Sequence, residues 1–496
     1  MNVVNFLIEK ASQNPTKVAL IDNGKTITYG QLLTEIKETA SYFKSKNINI
    51  KDRVLIAVPI SIDTYRIVLA LLYIGAIPVF MEEWAFKNNF YKHTKLVDCK
   101  AVIVAKKFRL IAFFSKAIRS IPIKLSSTKK GNSSINLEQV QPNQTALLSF
   151  TSGSSGIPKI ADRSHSFLIE QFRVLSDVTH CKGNENVCVG LAVVVLFYLA
   201  QGNTVLLRTK KIMNNNEFLN SNFKAFNISQ IIDSPAKLFS YAKGIETEIA
   251  NNITQVFTGG GPVFPQEAKL LNSVFTKSKN QIIYGSTEVE PISVVNAKNI
   301  VKFDQQKQKG LCVGRVNKDL TLKIINTTVK HKHQLSISEF SSICVNSNQV
   351  GEIVVSGNHV LNTYFKSDEI VKQQKINVDG VLWHKTGDSG YLENGILFLT
   401  GQCNRIIKVE NGFIYPFIIE NQLRQIHGVE KVAVLKVDSK IYIVVESTLN
   451  LSELKQKIRV DFEFEEIKKI ANIPLDPRHN TKIDYNKLKM LLIKPY

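Results

Sequence analysis

The stretch DRVLIAVPISIDTYRIVLALLYIGAIPVFM, from Asp52 to Met81, decides the fold. Residues 52–59 form an apolar run of strand length, residues 61–75 have helical periodicity, and residues 77–81 return to a strand-like run. A strand, a helix and a second strand in succession are typical of a unit with parallel strands. The sequence therefore predicts α/β architecture with a mostly parallel sheet.

Val- and Ile-rich runs alternate with helical periodicity through most of the chain. Several later runs end in small or turn-forming residues: KAVIVAKKF, NTVLLRT, ISQIIDSP, ITQVFTGGGP and NQIIYGSTE. Open α/β sheets bind ligands where such strands end, so we expect a site there. From about Leu320 short strands and turns take over, which predicts a β-rich subdomain over about residues 310–400.

A last unit begins near Gly401. It reads as a helical segment (FIIENQLRQI), two strand-like runs (VEKVAVLKV and KIYIVVES) and a second helical segment (LSELKQKIRVDFEF). These segments predict a small α+β domain over residues 403–496, after a larger domain over residues 1–402. Because a small domain on one short connection can swing, we expect it to be mobile.

The chain is basic, since 63 Lys and Arg against 42 Asp and Glu give it a formal charge of +21 over 496 residues. The lysines are spread among core-like segments, so most of this charge is interpreted as solvated surface and no stable nucleic-acid partner is expected. A basic surface does favour peripheral membrane contact. Six scattered cysteines without a CxxC pair, and no secretory signal at the N-terminus, favour a reduced, cytoplasmic chain.

A Ser/Gly-rich loop, FTSGSSGIPK (Phe150–Lys159), follows an apolar strand-like run. Its hydroxyls and backbone N–H groups suit a phosphate, and its glycines allow close approach. The candidate phosphate contacts are Thr151, Ser152, Gly153, Ser154, Ser155, Gly156 and Lys159. Neither the Walker pattern nor the dinucleotide GxGxxG pattern fits. A third kind of phosphate loop is indicated, with a surface linker as the alternative.

This loop resembles the phosphate loop of the adenylate-forming superfamily of acyl-CoA synthetases, peptide-synthetase adenylation domains and luciferases. TSGSSGIPK departs from that family's [ST]SG[ST]TGxPK only at Ser155. Further motifs occur along the chain in the family's order. TYGQL (Thr28–Leu32) precedes the loop, and TGGGPV (Thr258–Val263) and YGSTE (Tyr284–Glu288) come after it. The resemblance implies a large N-terminal domain of parallel and mixed sheets flanked by helices, its β-rich subdomain, and a small mobile C-terminal domain.

By the same resemblance, the YGSTE motif contacts the nucleotide. Tyr284 would stack on adenine, Thr287 would bond the α-phosphate, and Glu288 would hold Mg²⁺. An aromatic face suits a base, and a carboxylate suits a hard cation that bridges phosphates. The small residues of the two motifs are assigned to the same site: Gly259, Gly260, Gly261, Gly285 and Ser286.

Two later motifs extend the resemblance. HKTGDSGYL contains the family's TGD motif, in which Asp388 would accept both ribose hydroxyls. GQCNRIIKVENGFIYPFIIE resembles the hinge motif GRxDxxIKxxGxxIxPxEIE, with Asn404 at the pivot and Arg405 beside it as nucleotide-contact candidates. Gln402 stands where arginine is usual, and the glycine comes one place late. Lys408 matches the lysine that the family uses in its second half-reaction.

The C-terminal stretch PRHNTKIDYNKL (Pro477–Leu488) resembles PRTxxGKIDRxxL and places Lys482 where the adenylation lysine stands, although one residue is missing and Thr481 replaces glycine. The implied reaction is attack of a carboxylate on the α-phosphorus of ATP, loss of pyrophosphate, and transfer of the acyl group to CoA or an acyl-carrier-protein thiol. The implied ligands are ATP, Mg²⁺ and CoA. The implied catalytic residues are Lys482, Thr287, Glu288 and Lys408.

The acid is expected to be fatty or otherwise apolar. The run from Val187 to Ala200 (VCVGLAVVVLFYLA) offers uncharged aliphatic and aromatic side chains for an acyl pocket beside YGSTE. Peptide-synthetase domains usually supply an aspartate for the substrate's amine. No clear equivalent stands here, and Asp233, before SPAKL, is the candidate to check.

Two alternatives stay open. YGSTEVEPIS, RHNTKID, GLCVGR and LWHKTGDSGYL resemble olefin-pathway β-lactone synthetases, in which the substrate's own 3-hydroxyl is the nucleophile. Lys408 and GFIYPFIIE favour a thioester product instead. A catalytically weak, basic protein that binds nucleotide or nucleic acid would account for Gln402 and Thr481.

Overall fold

The computed structural model describes residues 1–81, 90–106, 114–128, 131, 135–151, 159–305, 310–410, 412–476 and 482–493. Within them the largest sheet has 15 strands. Its path is β16 (Thr321–Ile325), β18 (Gly351–Ser356), β20 (Val381–Glu393), β21 (Ile396–Gln402), β15 (Leu311–Val316), β14 (Val289–Asn296), β13 (Lys279–Ser286), β12 (Gln255–Gly259), β11 (Gln230–Asp233), β9 (Asn186–Val189), β10 (Thr204–Leu207), β1 (Val18–Asp22) and β2 (Lys25–Thr28). Two short strands extend it, β19 (Lys375–Val378) beside β20 and β17 (Gln334–Leu335) beside β19.

Strand direction divides this sheet into two halves. The pairs from β13 through β12, β11, β9 and β10 to β1 are parallel. From β13 toward β16 every neighbouring pair along the path is antiparallel. The parallel α/β half and the strand-rich half that the sequence predicts therefore share one sheet, and the β13–β14 hairpin lies where they join.

A second sheet contains the stretch with which the sequence analysis begins. Its six strands are β6 (Ile123–Ser126), β5 (Ala101–Val104), β3 (Arg53–Ala57), β4 (Ile77–Phe80), β7 (Thr145–Thr151) and β8 (Lys159–Ser164). Strand β3 pairs in parallel with β4, as the strand–helix–strand pattern predicts. The connecting helix α3 (Ile62–Tyr73) is capped by Ser61, whose hydroxyl accepts the Thr64 N–H, and every side chain from Thr64 to Tyr73 is buried.

Helices cover the faces of both sheets. The other helices of this part are α1 (Asn5–Gln13), α2 (Tyr29–Ser45), α4 (Phe90–Val97), α5 (Lys116–Arg119), α6 (His165–Thr179), α7 (Ala192–Gln201), α8 (Lys210–Asn214), α9 (Asn216–Ala225), α10 (Pro235–Gly244), α11 (Thr247–Asn252), α12 (Pro265–Val274), α13 (Ala297–Gln305), α14 (Ile337–Ile343) and α15 (Asp368–Gln374). Among the described residues, no helix combines the length and the apolar character needed to cross a bilayer.

The C-terminal unit follows a short 3₁₀ turn, Cys403–Arg405. It comprises β22 (Ile407–Val409), β23 (Gly412–Ile414), α16 (Pro416–Leu423), β24 (Val429–Val437), β25 (Lys440–Ser447), α17 (Leu451–Lys457), β26 (Glu466–Lys469) and α18 (Tyr485–Ile493). Side chains of this unit form a core of their own. The domain boundary between residues 402 and 403 stays a prediction.

One predicted helix of this unit is wrong in length. Helix α17 ends at Lys457, and the residues after it do not continue the helix that LSELKQKIRVDFEF suggested. Strand β26 begins later, at Glu466, and pairs in parallel with β25. Ile458, which directly follows the helix, enters the core of the unit.

Candidate active site

The YGSTE motif forms the turn of the β13–β14 hairpin. Ser286 pairs with Val289, which leaves Thr287 and Glu288 as the two turn residues. A Cβ on Gly285 would lie 2.7 Å from the carbonyl oxygen of Val289, so glycine is required for this approach. The motif thus presents Thr287 and Glu288 at the end of a strand.

Tyr284 and Asp388, 104 residues apart, are hydrogen-bonded to each other. The Tyr284 hydroxyl donates to Oδ2 of Asp388 at 2.9 Å. Burial raises the pKa of Asp388, while the Lys482 ammonium and the Tyr284 hydroxyl act in the opposite direction. The structure therefore brings together the residues that the resemblance assigns to adenine and to ribose.

Lys482, which belongs to the C-terminal unit, acts electrostatically on Asp388 of this pair. Leu475 and Ile483 form an antiparallel bridge, and the Asp476 N–H donates to the Lys482 carbonyl at 2.8 Å. The Lys482 side chain is exposed, and its ammonium lies close enough to Asp388 to oppose the rise of that carboxyl's pKa. Thr481 lies outside the described residues.

The Glu288 carboxylate is half-buried, and its surroundings favour the ionised form. The Tyr364 hydroxyl donates to its Oε1 at 2.8 Å. Burial alone would raise the pKa of Glu288, but His384, the hydroxyls of Tyr364 and Ser286, and Lys159 together lower it to about 2. Because His384 is itself held neutral near pH 7, we assign the stabilisation of the carboxylate at that pH to the two hydroxyls and Lys159.

Two buried basic residues behind Glu288 were missed by the sequence analysis. Lys375 and His384 pair across β19 and β20. Burial lowers the pKa of Lys375 to about 7, and burial together with Lys375 lowers the pKa of His384 to about 3. The Lys375 ammonium donates to the Leu361 carbonyl. The signal was present in KINV and LWHK, where a basic residue interrupts a buried strand.

The phosphate-loop candidates connect two paired strands. Thr151 at the end of β7 lies opposite Lys159 at the start of β8. The residues between them lie outside the described residues, and they include Ser152, Gly153, Ser154, Ser155 and Gly156. Lys159 is buried, with its ammonium 5.9 Å from the centre of the Tyr364 ring. Burial lowers the pKa of Lys159, and Glu288 opposes that effect.

The glycine motif TGGGPV ends β12 beside β13. A Cβ on Gly259 would lie 2.7 Å from the carbonyl oxygen of Ile283, so this strand end needs a glycine. Gly260 and Gly261 follow as a bend. The motif is therefore next to the backbone that leads into Tyr284.

The hinge residues occupy different surroundings. Gln402 pairs with Asp388 between β20 and β21. Asn404 is exposed, whereas the Arg405 guanidinium packs 3.9 Å from the centre of the Tyr485 ring. Lys408 is exposed on β22, and within the described part of the chain no hydrogen bond or ion pair joins it to Glu288 or Asp388. Lys482, but not Lys408, is among the charges that act on Asp388.

Fewer residues of the run from Val187 to Ala200 are available to an acyl group than the sequence suggests. Residues 194–200 of helix α7 are buried in the main core, so only residues 190–193 are half-buried. Asp233 is engaged internally, because its carboxylate pairs with Arg208 Nε at 2.7 Å and accepts the Tyr241 hydroxyl at 2.9 Å. It is not free to pair with the ammonium of an amino-acid substrate.

Comparison with known proteins identifies the family of the chain. A family profile described as "AMP-binding enzyme" matches residues 7–365. The chain is 25% identical over 446 residues to a 2-succinylbenzoate–CoA ligase of Oceanobacillus iheyensis, covering 87% of this chain and 85% of that protein. It is 23% identical over 541 residues to an olefin β-lactone synthetase of Stenotrophomonas maltophilia, covering 98% and 97%.

The fold also matches solved structures. The O-succinylbenzoate coenzyme A synthetase of Bacillus subtilis, in complex with ATP and magnesium ion, superposes with a TM-score of 0.81 at 19% identity, covering 98% of this chain and 99% of that one. This similarity confirms the predicted fold class: large sheets flanked by helices, followed by a smaller C-terminal domain.

Proposed function

This chain belongs to the AMP-binding enzyme family, and from that premise we propose that it activates a carboxylic acid with ATP and transfers the acyl group to a thiol. One observation carries the proposal. The Lys482 charge acts on Asp388, and Asp388 is hydrogen-bonded to Tyr284. Tyr284 lies in the same hairpin as Glu288. These are the groups that an adenylation site needs to hold a base, a ribose, a metal ion and a reacting phosphate.

The chemistry of Glu288 fits Mg²⁺. A half-buried carboxylate whose pKa is lowered by neighbouring hydroxyls and Lys159 is an ionised, hard oxygen ligand at neutral pH. Bound there, Mg²⁺ would neutralise phosphate charge as pyrophosphate leaves. Tyr284 and Asp388 orient the nucleoside, and Lys159 and the loop after Thr151 supply donors for the phosphates.

In the first half-reaction, a carboxylate oxygen of the acid forms a bond to the α-phosphorus. The bond from that phosphorus to the bridging oxygen breaks, and pyrophosphate leaves with the electron pair. Lys482 and Thr287 stabilise the charge that develops on the α-phosphoryl oxygens. In the second half-reaction a thiol sulfur attacks the acyl carbonyl carbon, loses its proton and displaces AMP, after the C-terminal unit rotates to bring in the face that carries Lys408.

The acid that fits best is apolar. Asp233 is paired with Arg208 and accepts the Tyr241 hydroxyl, so it offers no partner for a substrate ammonium. The half-buried residues 190–193 at the end of β9 carry no charge. Fatty and aryl acids therefore fit this wall better than amino acids.

A second candidate is β-lactone formation from a 3-hydroxy acid, in which the substrate's own hydroxyl displaces AMP. The match to an olefin β-lactone synthetase over 98% of this chain favours keeping it. The two candidates share the first half-reaction and differ in whether a thiol is needed.

Acid-dependent exchange of labelled pyrophosphate into ATP tests the proposal. The panel contains fatty, 3-hydroxy-fatty, aryl and amino acids, and CoA or a carrier protein is then added to each acid that responds. Exchange followed by thiol-dependent AMP release supports the ligase. Turnover of a 3-hydroxy acid without a thiol supports the lactone route, and exchange with no acid refutes both.

A further inference from the structure

Residues 360–365 form a segment, here called the strap, that joins the two sheets beside Glu288. The Leu361 N–H donates to the Glu288 carbonyl at 2.7 Å. At the other end, the Phe365 N–H donates to the Ile160 carbonyl at 2.9 Å. The strap therefore fixes the metal-ligand hairpin to strand β8, which begins at the phosphate-loop lysine.

Tyr364 in the strap contacts both functional groups. It is only 3% exposed, and its backbone bridges to Ala161 of β8. Its hydroxyl donates to Oε1 of Glu288 at 2.8 Å, and the face of its ring lies 5.9 Å from the Lys159 ammonium. One side chain thus sets the orientation of the carboxylate and supports the neighbouring cation.

The Tyr364 hydroxyl has one hydrogen to donate, and it donates it to Glu288. The strap that carries it is held from behind, because the buried Lys375 ammonium donates to the Leu361 carbonyl. A donor on a fixed backbone segment restricts where the Glu288 carboxylate can point.

We infer that Tyr364 is a positioning residue that orients the Glu288 carboxylate for Mg²⁺. The inference rests on the proposed function, because it takes Glu288 as the ligand of the metal that accompanies ATP. Without the hydroxyl, the carboxylate keeps its charge but can rotate toward Lys159. Metal affinity then falls while the nucleoside contacts of Tyr284 and Asp388 remain.

The test is ATP binding, without any acid, measured by isothermal titration calorimetry over a series of Mg²⁺ concentrations. Tyr364→Phe removes only the hydroxyl. Tyr73→Phe is the matched control, because Tyr73 is also buried and its hydroxyl donates to a single described partner, the Ile135 carbonyl, at 3.1 Å. Thermal unfolding of both variants checks that they fold.

We expect Tyr364→Phe to need roughly tenfold more Mg²⁺, or a larger excess, to reach half of the maximal ATP affinity, and to match the wild type at saturating Mg²⁺. Tyr73→Phe should follow the wild type throughout. An unchanged Mg²⁺ requirement in Tyr364→Phe overturns the inference, and so does an equal loss of ATP affinity at every Mg²⁺ concentration, which indicates a merely structural role. If the ATP affinity of the wild type does not depend on Mg²⁺ concentration, the assignment of Glu288 as a Mg²⁺ ligand is overturned before any variant is compared.

Discussion

The contact between the C-terminal unit and the N-terminal part of the chain should favour the first half-reaction over the second. Arg424, just after helix α16, pairs with Glu267 of helix α12, with Nη2 3.2 Å from Oε1. Its guanidinium also lies 4.2 Å from the centre of the Phe264 ring. Arg424→Ala removes both contacts. It leaves the hydrogen bond that the Gln266 side-chain amide donates to the backbone carbonyl of residue 424.

The magnitude follows from the exposure of the two side chains. Arg424 is 19% exposed and Glu267 26% exposed, so the ion pair is partly screened and contributes about 1 kcal/mol. The contact with the aromatic ring adds about 1 kcal/mol. A total of about 2 kcal/mol corresponds to a shift of roughly 30-fold in the equilibrium between this arrangement and one in which the C-terminal unit has rotated away.

Two rates measure that shift. The first is formation of acyl-adenylate from ATP and acid, and the second is transfer of the acyl group from added acyl-adenylate to the thiol. We expect the ratio of the first rate to the second to fall by up to roughly 30-fold in Arg424→Ala. The control is Arg459→Ala, because Arg459 bonds only to carbonyls of its own unit among the described residues.

Two results would refute this reasoning. An unchanged ratio would show that the Arg424 contact does not hold the adenylation arrangement. An equal fall of both rates, with a lowered unfolding temperature, would show general damage rather than a shift between two arrangements.

Two further predictions concern the C-terminal unit. Lys408→Ala should leave pyrophosphate exchange intact and slow acyl transfer to the thiol; an unchanged transfer rate counts against a second face. Burial raises the pKa of Glu420 to about 7 from 4.5, so the folded chain keeps a proton that the unfolded chain releases, and stability falls as pH rises between these values. Glu420→Gln keeps the acceptor for the Val434 N–H and should stabilise the unit by up to about 3 kcal/mol at pH 8, but not near pH 4.5. Slower hydrogen exchange at Val434, compared with the wild type at the same pH, checks it, and equal exchange at pH 8 would contradict it.

The fold was predictable where local pattern and burial agree. The stretch from Asp52 to Met81 alternates between strand-like and helical periods, and the structure has β3, α3 and β4 there. The same reasoning failed for residues 458–464, where the local pattern favours a helix but the helix ends at Lys457 and Ile458 enters the core of the unit. Local periodicity does not register contacts with distant residues of the chain.

Some residues of the candidate site were predictable from the sequence and others were not. Glu288 and Asp388 were found through motifs that resemble a known family, because spacing alone could not pair residues 100 positions apart. Tyr364 was missed, because its stretch carries no chemical pattern of its own. Lys375 and His384 were missed although each places a basic residue in a strand-like run. Their roles arise from strand pairing and from the strap, which exist only in the folded chain.

The most direct test of adenylation by this site is a single-turnover measurement of acyl-adenylate formation by Lys482→Ala, with an acid that supports pyrophosphate exchange. Lys489→Ala is the matched control, because Lys489 is an exposed lysine of the same C-terminal segment. We predict that Lys482→Ala slows adenylate formation roughly 100-fold or more and leaves ATP binding close to wild type, since the ammonium acts on charge that develops during the reaction. Equal loss of ATP binding and adenylation, or adenylation at the wild-type rate, would contradict the assignment.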